Sequence, residues 1–376
     1  MSTNTFAPSA LSNSLYQRRG FLKKGDHVVV VGAGAFGGWT ALQLLRHGIK
    51  VSLIDAWGSG NSRSSSGDET RVIRSTYGAN EFYFDLNVRS LMLWKEYQQI
   101  WNRQVFFNTG VLWLCHQEKC SLVDDSIPFA KKHKMEYEYV NKNDLEKRFA
   151  IVNSKDLHHG YFDPYGGYLK ARESMQFVQE TFVKEGGEYI NKMVSPDEKI
   201  EADTIIYACG SWLGKMFPKE IGNRITCSKQ EVYYFGAPAD EAKEYDSFPV
   251  WVDADDKDYY YGIPGNASRG FKVGVDRRGK PFDPTNGERI LEAEVLAHAR
   301  GFLSHRFPGL KDAPLVESRV CPYENSVDGN FIFEQHPANK KIWFLGGGSG
   351  HGFKHGPALG ELVAKALCEN SLRTSH

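Results

Sequence analysis

The pattern of apolar and polar residues near the start of the chain predicts a strand, a glycine turn, a helix and a second strand. Four consecutive valines at positions 28–31 form a run that is typical of a strand buried on both faces. Apolar residues then recur at helical spacing before Gly48, which ends the predicted helix: Ala41, Leu42, Leu44 and Leu45. A second strand covers residues 51–54 and ends at Asp55.

Further along the chain, short aromatic and β-branched runs alternate with Pro, Gly and Asp. These runs predict a largely antiparallel sheet: residues 111–114, 231–235, 259–263 and 271–275. Two more apolar runs, at residues 204–208 and 342–345, enter glycine turns, and a helix over 358–367 follows the second. Strands that end in glycine turns early, midway and late predict a nucleotide-binding domain assembled from separated segments, with the antiparallel domain inserted between them.

The predicted fold class is therefore α/β, with a Rossmann-like domain split in sequence and an inserted α+β domain built on a mixed, largely antiparallel sheet. A chain of 376 residues fits two domains, because single hydrophobic cores stop growing at about 250–300 residues. Residues 1–25 are predicted to be a polar tail. The nucleotide domain takes segments 26–104, 160–224 and 326–376, and the inserted domain takes segments 105–159 and 225–325.

Charge and hydrophobicity exclude several classes of protein. The chain carries 46 Lys+Arg against 46 Asp+Glu and is 41% hydrophobic, so it lacks the basic excess of a nucleic-acid binder and the apolar poverty of a disordered chain. The longest stretch without a charged residue, at positions 28–45, contains four glycines and Gln43, which a membrane span would not favour. We expect neither a nucleic-acid partner nor a membrane partner.

The six cysteines form no CxxC pair and no Cys/His cluster with zinc spacing, so we expect reduced thiols, a cytoplasmic protein and no metal. One feature favours the minority alternative of export. Residues 17–24, with Arg18 and Arg19, are similar to a twin-arginine signal. The apolar segment that follows is the predicted first strand, so cleavage after it would remove part of the fold.

A glycine motif joins the first strand to the first helix: Gly32-Ala33-Gly34-Ala35-Phe36-Gly37. Gly32 permits the tight turn, Gly34 lets the backbone approach a pyrophosphate, and Gly37 lets the helix pack close to the strand. The helix start offers free N–H groups to a phosphate. Asp55, 23 positions after Gly32, can accept a hydrogen bond from a ribose hydroxyl. Together these features predict a dinucleotide site.

Four further motifs occur in order along the chain: residues 67–74 (Gly-Asp-Glu-Thr-Arg-Val-Ile-Arg), Tyr261 with Lys272, residues 319–323 (Arg-Val-Cys-Pro-Tyr), and residues 348–354 (Gly-Ser-Gly-His-Gly-Phe-Lys). With the glycine motif, they resemble the monomeric sarcosine oxidase family, which includes N-methyltryptophan, pipecolate and fructosyl-amino-acid oxidases. The resemblance spans roughly residues 26 to 370. It implies an FAD-binding first domain and a monomeric oxidase. Such an enzyme converts the C–N bond of a small secondary-amine amino acid to an imine and reduces dioxygen to hydrogen peroxide.

The resemblance also implies roles for individual residues. Beyond the glycine motif and Asp55, it implies FAD contacts at eight positions and at Lys354: Ser66, Thr70, Arg71, Cys321, Gly348, Gly350, His351 and Gly352. Cys321 matches the cysteine that joins covalently to a methyl carbon of the flavin.

The catalytic residues implied by the resemblance are Arg74, Lys354, Tyr261 and Lys272. Arg74 and Lys354 match the cations that bind the substrate carboxylate. Lys272, eleven residues after Tyr261, matches the lysine that promotes the reaction with dioxygen by stabilising superoxide.

The residues leave alternatives open. Cys321 alone is also consistent with a small buried apolar side chain, and Lys272 with a strand lysine that faces water. Asp276 stands where the family has a histidine, and Ser64 to Ser66 with an inserted Glu69 replace paired histidines. The alternative functions are a fructosyl-amino-acid oxidase, a flavin dehydrogenase with another electron acceptor, an NAD-dependent dehydrogenase, or a flavoprotein without turnover.

Overall fold

The computed structural model describes residues 20–255 and 259–368. Arg18, Arg19 and most of the predicted polar tail lie outside the described residues. The end of the twin-arginine-like segment is part of the fold, because Leu22 is 2% exposed and forms a β-bridge with Cys368. Among the described helices, none combines the length and the apolar character that crossing a bilayer requires.

The described strands, numbered in chain order, are β1 (His27–Val31), β2 (Lys50–Asp55), β3 (Thr70–Ile73), β4 (Phe106–Phe107), β5 (Val111–Cys115), β6 (Glu138–Val140), β7 (His159–Asp163), β8 (Gly167–Lys170), β9 (Glu188–Asn191), β10 (Thr204–Tyr207), β11 (Ile225–Phe235), β12 (Val250–Ala254), β13 (Tyr259–Ile263), β14 (Phe271–Val275), β15 (Leu315–Ser326), β16 (Ile332–Gln335) and β17 (Ile342–Gly346).

The described α-helices are α1 (Ala35–Arg46), α2 (Glu81–Trp101), α3 (Ser121–Asp124), α4 (Ile127–Lys132), α5 (Lys142–Arg148), α6 (Ala171–Lys184), α7 (Leu213–Met216), α8 (Ala242–Ser247), α9 (Ala293–Arg306) and α10 (Gly356–Leu367). Short 3-10 turns cover Gly210–Trp212, Pro308–Leu310 and Phe353–His355.

The first sheet has the strand order β16-β17-β10-β1-β2-β9 and is parallel except at the β16–β17 pair. The four valines of β1 are at most 6% exposed, because helices α1 and α10 cover one face of the sheet, and the short helix α7 with the segment after it covers the other. The carboxyl ends of β1, β2, β10 and β17 therefore meet at one edge. Their connecting turns all open toward the same space.

The second sheet has the order β15-β11-β14-β13-β12-β5-β7-β6 and is antiparallel except for β5 with β12. It is thus mixed and largely antiparallel, and the predicted fold class is confirmed. One face packs on helix α9 through Trp251, Phe271 and Phe307. Because side chains alternate along a strand, Lys272 points to the opposite face, where it is 1% exposed.

A small third sheet has the order β3-β8-β4, and its strand β3 holds residues 70–73 of the Gly-Asp-Glu-Thr-Arg-Val-Ile-Arg motif. Two strands lie at or near the predicted segment boundaries. β7 straddles the boundary at residue 160 and pairs with β5 and β6 in the eight-stranded sheet. β4, assigned by prediction to the inserted domain, pairs instead with β8 beside β3. The division into segments otherwise stays a prediction.

Candidate active site

A cavity of about 270 Å³ lies along the carboxyl edge of the parallel sheet. Its walls include Val31, Asp55, Ala208 and Leu345, which lie at or next to the ends of β1, β2, β10 and β17. Ligands of open parallel sheets bind at this edge, where the connections diverge. The cavity is therefore the first candidate for a cofactor site.

Ten of the fifteen predicted cofactor residues line this cavity: Gly32, Gly34, Ala35, Phe36, Asp55, Ser66, Arg71, Gly348, Gly350 and Gly352. The other five, Gly37, Thr70, Cys321, His351 and Lys354, are not part of its lining. Gly37 lies under the turn, and the remaining four belong to the region beyond Arg71 that is described below. The roles assigned to all fifteen stay predictions.

Two glycines of the first motif are required by the protein's own packing. Gly32 has a φ of +109°, and a Cβ there would overlap the Ala208 carbonyl oxygen. A Cβ on Gly37 would overlap the Gly32 carbonyl oxygen. Helix α1 can approach β1 only because both positions lack a side chain.

Packing within the protein does not require a glycine at position 34. Its φ is −76°, and a Cβ there would meet only Ser66 Oγ, at 3.4 Å. Gly34 has no side chain to cap helix α1, and the N–H of Ala35 donates to Ser66 Oγ at 3.1 Å. Bare backbone at the start of a helix suits the approach of a phosphate. The turn formed by residues 32–37, here called the glycine cradle, therefore fits the pyrophosphate of a dinucleotide.

Asp55 closes the other end of this cradle. Its Oδ2 accepts from the Ala33 N–H at 2.8 Å, and its Oδ1 accepts from the N–H groups of Trp57 and Gly58, both at 2.9 Å. A carboxylate has about four lone-pair positions, so capacity remains for a ribose hydroxyl. The carboxylate thus ties the glycine turn to the segment after β2.

Sequence reasoning missed several residues that line the cavity, among them Trp57, Trp212 and Thr285. The Trp57 and Trp212 rings are 5.0 Å apart, and Trp212 Nε1 donates to Thr285 Oγ1 at 2.9 Å. Trp212 follows the second strand-to-glycine junction, so that junction was an available signal. Thr285 belongs to no recognisable motif.

The two adjacent glycines of helix α1 offer a matched test of this packing. Gly37→Ala is expected to destabilise the protein by about 1–3 kcal/mol and to weaken FAD binding, because its methyl group meets backbone that cannot move aside. Gly38→Ala comes closest to the flexible end of Met175, at 3.1 Å, makes ordinary contacts with Val178 and the Ala33 carbonyl oxygen at 3.4–3.5 Å, and gains helix propensity. Thermal unfolding and flavin titration of the apoproteins measure both effects. Equal losses in the two variants would contradict the packing role of Gly37.

Beyond the cavity, Lys272 forms a buried ion pair with Asp68. Lys272 Nζ is 2.5 Å from Asp68 Oδ2 and 2.9 Å from the Thr70 carbonyl oxygen. The Tyr234 hydroxyl donates to Asp68 Oδ1 at 2.8 Å. Burial lowers the pKa of Lys272, and the Asp68 carboxylate opposes that shift. Lys272 is therefore buried and paired with Asp68, and it is not a strand lysine that faces water.

Arg71 links this ion pair to Cys321. Its guanidinium bonds to Asp68, donates to the Ser65 carbonyl oxygen at 2.6 Å, and lies 3.1 Å from Cys321 Sγ. Burial raises the pKa of the Cys321 thiol, which is 4% exposed, while Arg71 favours the thiolate and opposes the shift. Cys321 thus differs from an ordinary buried apolar cysteine by its contact with a cation.

Two tyrosines adjoin this group. Tyr323 lines the cavity, and its ring would collide with any side chain at Gly350. Burial raises the pKa values of both Tyr261 and Tyr323, and Arg71 opposes the shift at each. Tyr261 therefore lies near Arg71 and Tyr323, within the same group as Cys321.

The cations of Arg74 and Lys354 both lie against the ring of Tyr77. Arg74 Cζ is 4.9 Å and Lys354 Nζ is 5.0 Å from the ring centre. Lys354 is 4% exposed, and burial, followed by the Arg74 charge, lowers its pKa well below the usual value. Across residues 20–255 and 259–368, no carboxylate lies within 4.0 Å of either cation. Arg74 instead donates to the Thr76 carbonyl oxygen, and Lys354 Nζ donates to the His351 carbonyl oxygen at 3.0 Å.

His351 lies behind this ring together with His355. The Tyr77 hydroxyl oxygen is 3.1 Å from His351 Nδ1 and 2.7 Å from His355 Nε2. His351 Nε2 is 3.0 Å from the Gly329 carbonyl oxygen, which can only accept, so Nε2 carries the proton. Burial lowers the pKa of His351 to about 3 and that of His355 well below its usual value, so both rings are neutral at pH 7.

The two departures from the family pattern have different surroundings. Asp276 keeps exposed surface, yet protein around its carboxyl group raises its pKa, and Arg74 and Lys354 oppose that shift. It is therefore near both cations. Glu69 points elsewhere, toward three arginines at 3.5–3.7 Å: Arg172, Arg269 and Arg319. Ser64 and Ser65 line the cavity.

The parallel sheet is split in sequence and carries the glycine cradle, and the second sheet holds buried cations beyond it. A cofactor cavity with a neighbouring charged site is the arrangement of a dinucleotide-dependent enzyme. The chain belongs to the FAD dependent oxidoreductase family (DAO), whose profile matches residues 27–366. The cofactor of this enzyme is FAD, which the cradle fits.

Relatives by sequence agree with the resemblance found in the motifs. The chain is 28% identical to the monomeric sarcosine oxidase of Bacillus sp. (strain B-0618) over 355 residues, covering 90% of this chain and 91% of that protein. It is 23% identical to the N-methyl-L-tryptophan oxidase of Yersinia pestis (strain Pestoides F), covering 90% and 93%. The predicted resemblance is confirmed.

Solved structures share the fold. L-proline dehydrogenase from P. horikoshii matches with a TM-score of 0.78 at 18% identity, over 91% of this chain and 93% of that one. A modified fructosyl peptide oxidase from Aspergillus nidulans matches with a TM-score of 0.77 at 19% identity, over 92% of each chain. At these identities the likeness concerns the fold and not the substrate.

Proposed function

We propose that this FAD-dependent oxidoreductase is a monomeric oxidase of a small secondary-amine amino acid, with an N-methyl, N-alkyl or cyclic amine. It oxidises the C–N bond to an imine and reduces dioxygen to hydrogen peroxide. The observation that carries the proposal is the pair of cations at Arg74 and Lys354, which have no carboxylate partner within 4.0 Å among the described residues. An amino acid would supply that carboxylate.

Individual residues of the chain have separate roles in this reaction. FAD, when bound, would supply the redox chemistry: it would take a hydride from the C–H bond next to the amine nitrogen, which also loses a proton, and would pass the two electrons to dioxygen. Arg74 can grip both oxygens of the substrate carboxylate, and Lys354 adds a second charge. Fixing the carboxylate at two points orients the amine, and orientation of this kind lowers the barrier to reaction. Lys272 supplies a fixed positive charge that stabilises the anion formed as dioxygen is reduced.

We further propose that FAD is attached covalently through Cys321. The Arg71 guanidinium, 3.1 Å from Sγ, supports this role, because a nearby cation favours the reactive thiolate.

Cys321→Ser tests the attachment. Wild-type protein is expected to keep its yellow flavin through acid precipitation, and Cys321→Ser is expected to release it, because only the thiol can form the bond. Cys227→Ser is the matched control, since Cys227 lies on the adjacent strand β11. Flavin released by acid from the wild type would contradict covalent attachment.

A peroxide assay over a substrate panel tests the function. The panel contains N-methyl amino acids, pipecolate, proline, saccharopine and fructosyl amino acids. Peroxide formation with a secondary-amine amino acid is the expected result. Substrate-dependent reduction of an artificial dye without oxygen uptake would identify a dehydrogenase and contradict the oxidase proposal.

The second candidate is a fructosyl-amino-acid oxidase, which Asp276 favours. Its carboxyl group is close enough to Arg74 and Lys354 for their charges to oppose the rise in its pKa. A carboxylate there could accept hydrogen bonds from the hydroxyl groups of a glycated substrate. Asp276→Asn is the discriminating variant, because it would reduce activity on fructosyl substrates more than on N-methyl amino acids.

We also propose a cytoplasmic location. None of the six cysteines forms a disulfide within the described residues, which agrees with a reducing compartment. Fractionation of cells that express the full chain tests this proposal, and recovery outside the cytoplasm would contradict it.

A further inference from the structure

Tyr77 lies where the Arg74 and Lys354 cations of the site meet. Its side chain is 3% exposed, and its ring centre is 4.9 Å from Arg74 Cζ and 5.0 Å from Lys354 Nζ. The face of an aromatic ring attracts a cation, and the attraction is stronger where water is excluded. One ring can therefore stabilise two like charges that would otherwise repel each other.

The hydroxyl group of Tyr77 is held from two sides. Because His351 Nε2 donates to the Gly329 carbonyl oxygen, His351 Nδ1 accepts from the Tyr77 O–H. His355 Nε2–H then donates to the Tyr77 oxygen at 2.7 Å. This chain of hydrogen bonds fixes the orientation of the ring.

We propose that Tyr77 is a positioning residue whose ring sets the separation and direction of the Arg74 and Lys354 cations toward an incoming carboxylate. His351 and His355 act through Tyr77 by fixing its ring. The inference rests on the proposed function, because it requires that the two cations bind the carboxylate of the substrate.

Acetate is a suitable probe, because it offers a carboxylate and nothing else for the site to bind. Its affinity for the flavin-loaded enzyme is measured by isothermal titration calorimetry. Tyr77→Leu is expected to weaken acetate binding at least about tenfold, because the ring is lost. Tyr77→Phe keeps the ring and is expected to restore most of the affinity. Tyr83→Phe is the control, since Tyr83 stacks on Tyr77 at 5.3 Å and its hydroxyl bonds to the Phe331 N–H.

The outcomes separate this inference from the proposed function. If Arg74→Ala and Lys354→Met weaken acetate binding and Tyr77→Leu does not, the positioning role of Tyr77 is wrong. If none of the three variants changes acetate binding, the carboxylate site is wrong, and the proposed function fails with it. A loss in Tyr83→Phe as large as that in Tyr77→Leu would show a general packing effect and also contradict the positioning role.

A double-mutant cycle serves if Tyr77→Leu does not fold. Tyr77→Met, which also removes the ring, is combined with Arg74→Ala, and acetate affinity is measured for all four proteins. Because the ring of Tyr77 acts through the cations, the combined loss is expected to be smaller than the product of the two single losses. Losses that simply multiply would contradict the inference.

Discussion

Lys272→Met is expected to slow the reoxidation of the enzyme by dioxygen at least about a hundredfold, a loss of about 2.7 kcal/mol of electrostatic stabilisation. Methionine keeps the length and the apolar stem of the side chain but removes the charge. Asp68, the partner of Lys272, still bonds to Arg71 and Tyr234, so the surrounding group keeps most of its contacts. Reduction of the enzyme by substrate is expected to change much less.

Stopped-flow absorbance measures the two half-reactions separately, the first without oxygen and the second on mixing with air-saturated buffer. Lys229→Met is the matched control. Lys229 lies on β11 in the same sheet, where it pairs with Glu231 at 3.1 Å. If reduction collapses in Lys272→Met while reoxidation is unchanged, Lys272 contacts substrate, and the role in oxygen reduction passes to another cation. If neither half-reaction changes, Lys272 has no catalytic role.

Arg74→Ala is expected to raise KM for an amino-acid substrate at least about tenfold, which corresponds to about 1.4 kcal/mol of lost binding. The guanidinium has no carboxylate within 4.0 Å among the described residues, so its charge is available to the substrate. Lys354→Met is expected to act in the same direction and less severely. An ammonium group offers a point charge in place of a two-point grip.

Steady-state kinetics at saturating oxygen measure both variants. Arg89→Ala is the control, because Arg89 already pairs with Glu361 at the surface, at 2.7 Å. An unchanged KM in Arg74→Ala would show that Arg74 does not bind the carboxylate. A larger effect in Lys354→Met than in Arg74→Ala would reverse their assigned contributions.

Much of the fold followed from local patterns. The valines of β1 and the aromatic run of β13 occupy strands whose bounds differ from the predicted ones by no more than one residue. The positions of Gly32 and Gly37 were also readable, because a tight turn and a close helix-to-strand contact restrict side chains at fixed offsets along the chain. Family resemblance then supplied candidate roles for residues such as Cys321 and Arg74, and those roles stay predictions.

Other features had no local signal. Alternation placed Lys272 opposite Phe271 but could not say which face was buried. Its partner Asp68 is 204 residues away in sequence, and Thr285 reaches the cofactor cavity from a segment without a motif. The surroundings of the inserted Glu69 had no signal in the sequence, and its carboxylate lies near arginines on three different segments.

The sequence by itself determined the first strand–turn–helix–strand unit, several strands of the second sheet, the glycine cradle and the family. These depend on periodicity and on backbone conformation, which neighbouring residues encode. Only the tertiary structure decided which charges are paired and which are not. Lys272 is matched by Asp68, whereas Arg74 and Lys354 meet over Tyr77 without a carboxylate within 4.0 Å among the described residues. Pairing depends on distances between segments far apart in the chain, and local patterns do not specify those distances.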